Sequence, residues 1–281
     1  MKKYIKLMRL KHWIKNGLVF LPVFCSGIIT KENMIASIIA FFAFSFMASV
    51  VYIINDIKDV EKDRNHPRKC KRPIANGEIG ISKALVLGVF LFLISIGLNL
   101  FITRTILNPA LYVILLYLAI NIVYSFGAKH IPILDVAILG AGFVLRVYYG
   151  AFMTGIAVSR WLFLTVLSAS LFLGLGKRKK ELKIKDEVRP VLKNYPEKFL
   201  ESFMNICLCL VIVFYSLWSM EQEIEYLFVS IPFLIILFME YMMYLERDDE
   251  GDPITILFQN KSLMFTTIAY IGVMAVLLFT K

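Results

Sequence analysis

Apolar residues in this chain gather into long runs separated by charged stretches, with no short alternation of polar and apolar positions. The runs fall at about 17–30, 34–54, 81–103, 109–126, 131–154, 159–176, 202–220, 226–245 and 262–280. Most approach the roughly 20 residues that a helix needs to cross the hydrocarbon core of a bilayer. Membrane-crossing strands would alternate residue by residue over about ten positions, and none of these runs does. The pattern predicts an all-α polytopic membrane protein, a bundle of about nine transmembrane helices in one domain over 1–281. The run at 17–30 is the least regular, because Gly17, Pro22 and Gly27 interrupt it.

Composition agrees with the runs. Hydrophobic residues make up 59% of the chain and the mean hydropathy is +0.72, whereas a soluble domain is roughly 45–50% apolar. The formal charge of +10 would suggest nucleic acid in a soluble protein. Here its placement assigns it to membrane orientation, and no nucleic-acid partner is expected. Basic residues crowd into Lys2–Lys15, Lys58–Arg72 (Arg68 included), Lys129, Lys177–Lys198 (Lys185 and Arg189 included), Arg247 and Lys261. Only Lys31, Arg104, Arg160 and Lys281 fall on the opposite side, with Lys83 and Arg146 at or within spans. By the positive-inside rule the crowded side is cytoplasmic. The expectation is a multi-pass protein of the plasma (inner) membrane, N-terminus inside, C-terminus outside and charged working face toward the cytoplasm. No small-residue cleavage site follows the first run, so it reads as an uncleaved span. Cys25, Cys70, Cys207 and Cys209 form no paired motif and no metal-ligand spacing with His12, His66 or His130.

Candidate chemistry sits at the end of the second run, in Asn55-Asp56-x-x-Asp59-x-x-x-Asp63. On a continuing helix Asp56, Asp59 and Asp63 would share one face, with Asn55 beside them. Carboxylates so close repel one another unless a cation sits among them. Hard oxygen donors with room for water suit Mg²⁺, which commonly joins one or two carboxylates to substrate phosphates. The other reading is a solvated helix end neutralised by Lys58 and Lys62. The loop continues through Lys69 and Arg72, cations suited to a ligand with several phosphates, although anchoring accounts for part of this charge. Arg146 lies near the middle of the fifth run. A charge there is a functional candidate, with a structural ion pair or carbonyl cap as the equal alternative.

With further segments these residues resemble the UbiA superfamily of intramembrane prenyltransferases. The segments are Trp13-Ile-Lys15-Asn16, Asp63-Arg-x-His-Pro-x-Lys69, Arg72-Pro-Ile-Ala-x-Gly77, Tyr124-Ser125, Lys129 to Asp135, Gly142 to Arg146, Gly176-Lys177-Arg178-x-x-Glu181-Leu182 and Gly251-Asp-Pro253. In that order they are most similar to one branch, the decaprenyl-phosphate phosphoribosyltransferases. The resemblance implies Mg²⁺-dependent transfer of 5-phosphoribose from phosphoribosyl diphosphate to a polyprenyl phosphate in the membrane, releasing diphosphate. It makes Asp56, Asp59 and Asp63 the catalytic metal ligands. It makes Lys15, Asn16, Asn55, Lys69, Arg72, Tyr124, Lys129, Arg146, Lys177 and Arg178 the substrate-binding set. The wider superfamily has a second acidic motif, DxxxD, where this chain has Lys177-Arg178-Lys179-Lys180-Glu181; cations there suit a ligand with more free phosphate. Near the last cytoplasmic loop the chain reads Glu240-Tyr241 and Asn260-Lys261, where branch members carry Arg-Tyr and Asp-Arg pairs. The alternatives are an aromatic prenyltransferase of the same superfamily, of the 4-hydroxybenzoate type, and a non-catalytic transporter or lipid-binding protein. Self-association into a homo-oligomer stays open.

Overall fold

A computed structural model describes residues 2–67, 69–183, 190–247 and 252–279 of the chain, and among these every regular element is helical. Arg68, Lys185, Arg189, Gly251 and Lys281, which the sequence reading used, lie outside the described residues. The chain divides into two compact units, Met1–Ala128 with Leu145–Ala157 and Lys129–Val144 with Val158–Lys281.

The first unit holds α1 (Lys2–Met8), a 3-10 helix over Leu10–Phe20, α2 (Leu21–Ser26), α3 (Lys31–Lys58), α4 (Val60–Arg64), α5 (Ile81–Thr103) and α6 (Pro109–Phe126). It also takes the end of α7 (Leu134–Thr154), from Leu145 onward. Thr30 starts α3 by accepting a hydrogen bond from the Asn33 amide at 3.2 Å, and Asn108 starts α6 by accepting from the Leu111 amide at 2.7 Å. Both are side-chain N-caps that satisfy an otherwise orphaned donor.

α3 is the centre of this unit. Phe44, Met47, Ile53, Ile114, Tyr117 and Tyr149 belong to one buried cluster around it. α5 packs on α3 in a manner suited to lipid. Its buried positions are Ala84, Gly88, Leu91, Ser95 and Asn99, mostly small or polar, and recur at helical spacing. Its large apolar residues face outward, with Val86 71% exposed and Phe90, Leu93 and Phe101 likewise exposed. In a membrane the interface favours small residues that let backbones approach and polar groups that bond across. Ser95 Oγ does so, donating to the Ala43 carbonyl at 2.8 Å.

Among the described residues eight helices are long and apolar enough to cross a membrane: α3 (31–58), α5 (81–103), α6 (109–126), α7 (134–154) and four more from the second unit described below, α8, α9, α10 (with the turn before it) and α12. The run at 17–30, expected as a ninth helix, is built otherwise. It is the end of the 3-10 helix, then α2, then an extended link to α3. Pro22 has no amide to donate to the Leu18 carbonyl, and the Leu21 amide takes that carbonyl instead. Gly27, at φ 68°, ends α2 in the left-handed conformation that glycine adopts without strain. The segment lies antiparallel along α3: Trp13 Nε1 donates to Ser49 Oγ at 3.1 Å and Asn16 Nδ2 to Ser45 Oγ at 2.9 Å.

The second unit contains α7 up to Val144, α8 (Arg160–Lys183), α9 (Glu197–Glu221), α10 (Ser230–Arg247), α11 (Pro253–Gln259) and α12 (Lys261–Phe279). Its core joins Phe172, Leu192, Leu200, Met204, Leu245 and Ile256. A 3-10 turn at Pro190–Asn194 seats Val191 and Leu192 in that core and leads into α9.

Candidate active site

The end of α3 carries the acids. The helix stops at Lys58, and Asp59 (φ −96°, ψ 12°) joins it to α4. The Asp59 amide donates to the Asn55 carbonyl at 3.0 Å and the Asp63 amide to the Asp59 carbonyl at 2.8 Å. The uninterrupted helical face expected for Asp56, Asp59 and Asp63 is therefore broken at its middle residue. What gathers the outer two is Arg72. Its Nη1 lies 3.1 Å from Asp56 Oδ1 and 2.5 Å from Asp63 Oδ2. Arg9 Nη2 donates to the same Asp56 oxygen, and its guanidinium lies 4.7 Å from the centre of the Tyr52 ring. Asp56 is 2% exposed and Asp63 is also buried. Buried carboxylates persist as anions only when paired, and here two guanidiniums supply the pairing.

Local sequence explains how Arg72 arrives there. After a 3-10 turn at Lys69–Lys71 the Arg72 amide donates to the Lys69 carbonyl at 2.9 Å. Ile74, Ala75 and Ile79 are buried and pin the loop to the unit. α1 holds it from the other side. Lys6 Nζ donates to the Lys71 carbonyl at 2.6 Å and Lys3 Nζ to the Glu78 carbonyl at 3.1 Å.

A second constellation in the same unit surrounds Arg146, which is buried. Its Nε donates to Asn16 Oδ1 at 2.8 Å and its Nη2 to Tyr117 Oη at 3.3 Å. The guanidinium also lies 5.0 Å from the Phe44 ring centre and 5.1 Å from that of Tyr117, within the range of cation–π attraction. Sequence placed Asn16 and Arg146 in one substrate-binding set, and the fold brings the two into direct contact. Lys15, Asn55, Lys69 and Tyr124 are half-buried, the first beside Asn16, the second one residue before Asp56, the third in the loop that carries Arg72 and the fourth on the last turn of α6.

In the second unit Lys129 lies in a 3-10 turn at Ala128–His130. The cationic run at the end of α8 is tied to acids. Arg178, 1% exposed, donates from Nε to Asp135 Oδ2 at 2.7 Å and from Nη1 to Glu181 Oε2 at 2.5 Å. The Tyr195 hydroxyl donates to Asp135 Oδ1 at 2.6 Å and accepts from the Ile133 amide. Burial, and after it the bond to Asp135, push the Tyr195 phenol up to about 12. Lys179 Nζ reaches Glu246 Oε1 at 2.7 Å and Glu201 Oε1 at 3.3 Å. Lys180 Nζ donates to the Glu246 carbonyl at 2.7 Å. Lys177 is the more open member, its side chain 32% exposed and 3.5 Å from Asp252 Oδ1.

Sequence reasoning gave no role to Arg9, Asp135, Glu181, Tyr195 or Asp252. Arg9 stands within the basic stretch Lys2–Lys15, which reads as anchoring charge. Asp135, Glu181 and Asp252 fall inside the segments that carry the family resemblance, and that is their only signal in the sequence. Tyr195 carried none.

Among the described residues no three His, Cys, Asp or Glu side chains stand together as a metal cluster. Two carboxylate oxygens nevertheless converge on a single cationic nitrogen of Arg72. All-oxygen donors and two carboxylates meet the needs of Mg²⁺, which keeps water or phosphate on its remaining positions. The residues fit such an ion at this point, on condition that Arg72 yields its place.

Fold and site define an all-helical polytopic protein with a charge-compensated acid pair at the end of a long apolar helix. The chain belongs to the UbiA prenyltransferase family, whose sequence profile matches residues 19–277. It is thus a multi-pass membrane protein and an enzyme of the UbiA type. Among curated relatives it is 33% identical to the decaprenyl-phosphate phosphoribosyltransferase of Corynebacterium glutamicum, over 95% of this chain and 84% of that one. It is 31% identical to the decaprenyl-phosphate phosphoribosyltransferase of Mycolicibacterium smegmatis, over 95% of this chain and 90% of that one. Among solved structures, a UbiA homologue from Archaeoglobus fulgidus bound to GPP and Mg²⁺ shares the fold. It matches at TM-score 0.71 and 17% identity, covering 99% of this chain and 100% of that chain.

Proposed function

We propose that this protein transfers 5-phosphoribose from phosphoribosyl diphosphate to a polyprenyl phosphate, releasing diphosphate, with Mg²⁺ as cofactor and its site on the cytoplasmic face of the plasma membrane. The observation that carries this reading is the meeting of Asp56, Asp63, Arg9 and Arg72. It lies in a chain similar over 95% of its length to two phosphoribosyltransferases of polyprenyl phosphate. Anionic oxygens and guanidinium donors side by side are the environment that a metal-bound diphosphate needs.

In this reading the bond between the anomeric carbon and the diphosphate oxygen breaks, and an oxygen of the lipid phosphate forms the new bond to that carbon. The acceptor is already anionic, so no Ser, Cys or His nucleophile is required. Asp56, Asp59 and Asp63 hold the cation, which when bound neutralises charge on the departing diphosphate. Asn55, Lys69 and Arg72 orient donor phosphates. Lys15, Tyr124 and Lys129 add polar contacts to substrate, and Asn16 and Arg146 act as one bonded pair. In the second unit Lys177 binds phosphate, while Arg178, fixed by Asp135 and Glu181, steadies the end of α8 that carries it. Catalysis then rests on positioning and fixed charge.

Purified protein supplied with labelled phosphoribosyl diphosphate and decaprenyl phosphate should form lipid-linked phosphoribose, and chelator should abolish it. Prenylation of a hydroxybenzoate from a prenyl diphosphate, with phosphoribosyl diphosphate ignored, would overturn the donor assignment and leave the family unchanged.

A further inference from the structure

Arg9 lies outside every segment that suggested a site, yet it is one of two cations on Asp56. Its backbone is at φ 54°, ψ 51°, a left-handed conformation that a residue with a Cβ adopts only at a cost. Such a residue persists where surroundings over-determine it, commonly at a working site. The turn at Arg9 joins α1 to the 3-10 helix, with its amide on the Lys6 carbonyl at 3.3 Å and the His12 amide on its own carbonyl at 2.8 Å. The guanidinium is then held between the Tyr52 ring and Asp56 Oδ1, one turn apart on α3.

We infer that Arg9, together with Arg72, keeps the place of the divalent cation in the unloaded enzyme and surrenders Asp56 to it only when diphosphate arrives to accept the guanidinium. This rests on the reading of Asp56 and Asp63 as the cation site. Asp56 Oδ1 accepts from both arginines. A divalent ion placed on that oxygen would face two fixed positive charges at close range. Ion and guanidiniums therefore compete, and metal alone binds weakly. A diphosphate supplies the anion that a displaced guanidinium needs. The Tyr52 ring gives Arg9 a cation–π support that keeps it in the site after it leaves Asp56. Metal and diphosphate thereby become coupled through Arg9, in addition to their direct attraction for each other.

The test is titration of purified full-length protein with Mn²⁺, reading free ion by electron paramagnetic resonance, with and without inorganic diphosphate. Arg9→Gln should bind Mn²⁺ alone on the order of tenfold tighter than wild type. Diphosphate should then strengthen Mn²⁺ binding less in that variant than in wild type. Arg9→Lys, which keeps the charge, should stay near wild type. If Arg9→Gln fails to elute as a folded species, Arg72→Gln reads the same competition from the other arginine and should also tighten Mn²⁺. Equal or weaker Mn²⁺ binding in a folded Arg9→Gln or Arg72→Gln variant would overturn the inference. Asp56→Asn separates the two layers. If it abolishes Mn²⁺ binding while arginine loss does not tighten it, the cation site stands and the competition fails. If Asp56→Asn binds Mn²⁺ like wild type, the cation site fails and the competition with it.

Discussion

Asp56 and Asp63 differ in what each would leave behind. Removing Asp63 leaves Arg72 still paired with Asp56, and Asp56 still paired with Arg9. Removing Asp56 strips Arg9 of its carboxylate and leaves Arg72 with Asp63 alone. A Mg²⁺ ion also commonly needs only one or two carboxylates. Asp63→Ala should therefore cost roughly tenfold in turnover, and Asp56→Ala and Asp59→Ala more than about a hundredfold. Initial rates for the three variants, at matched amounts of membrane-inserted protein, decide this; an Asp63→Ala enzyme as inactive as Asp56→Ala would contradict it. At this scale the sequence announced the acids and hid their partners. Acid spacing along one helix can be read from a string of residues. Arg9 and Arg72 reach Asp56 from 47 and 16 positions away; the sequence marks Arg72 as a cation for phosphate but not as a partner of the acids, and nothing local distinguishes Arg9 from an anchoring charge. Arg178 shows the same limit from the other direction: a basic run in the sequence gives no sign that Asp135 and Glu181 enclose one of its members.

Among the elements, long helices were legible because apolar length is a physical requirement of the bilayer, and eight of the expected nine appear as such among the described residues. The piece over 17–30 was not, because hydropathy reports burial in lipid and says little of whether backbone amides bond three or four residues back. Packing against that piece gives a sharp test. At Gly150, on α7, an added Cβ would collide with the backbone carbonyl of Val19 in the 3-10 helix. Backbone cannot rotate aside as a side chain can. At Gly88, on α5, an added Cβ would meet Ile53 Cγ2 at 3.7 Å, an ordinary contact. Gly150→Ala should destabilise by about 1–3 kcal/mol, the usual cost of overpacking, while Gly88→Ala should be close to neutral. Thermal unfolding midpoints in one detergent would show it. A Gly150→Ala midpoint equal to that of Gly88→Ala would mean that α7 and the 3-10 helix are not in such close contact.

For the molecule in its membrane, the deciding question is whether the segment over residues 10–26 crosses. α3 lies between the N-terminus and the loop at Lys69–Gly77, so a single crossing by α3 would put the two on opposite faces. The contacts argue otherwise. Along α3, Arg9 meets Asp56, Trp13 meets Ser49 and Asn16 meets Ser45, so the N-terminal segment descends as α3 ascends. Lys3 and Lys6 bond carbonyls of the loop that follows α3, which sets the N-terminus beside that loop. Eleven residues of 3-10 helix at about 2.0 Å each and six of α-helix at about 1.5 Å each reach roughly 31 Å. The hydrocarbon core is about 30 Å thick, so the segment is long enough to return across it. Positive charge in Lys2–Lys15 and again in Lys58–Arg72 then falls on one side, as the positive-inside rule requires. Reporters fused ahead of Lys2 and after Gly77 should both read cytoplasmic, one after Asn194 likewise, and one at Glu223 external. Opposite readings at Lys2 and Gly77 would show that α3 crosses alone, and the short helices over 10–26 would then have to lie in the interface.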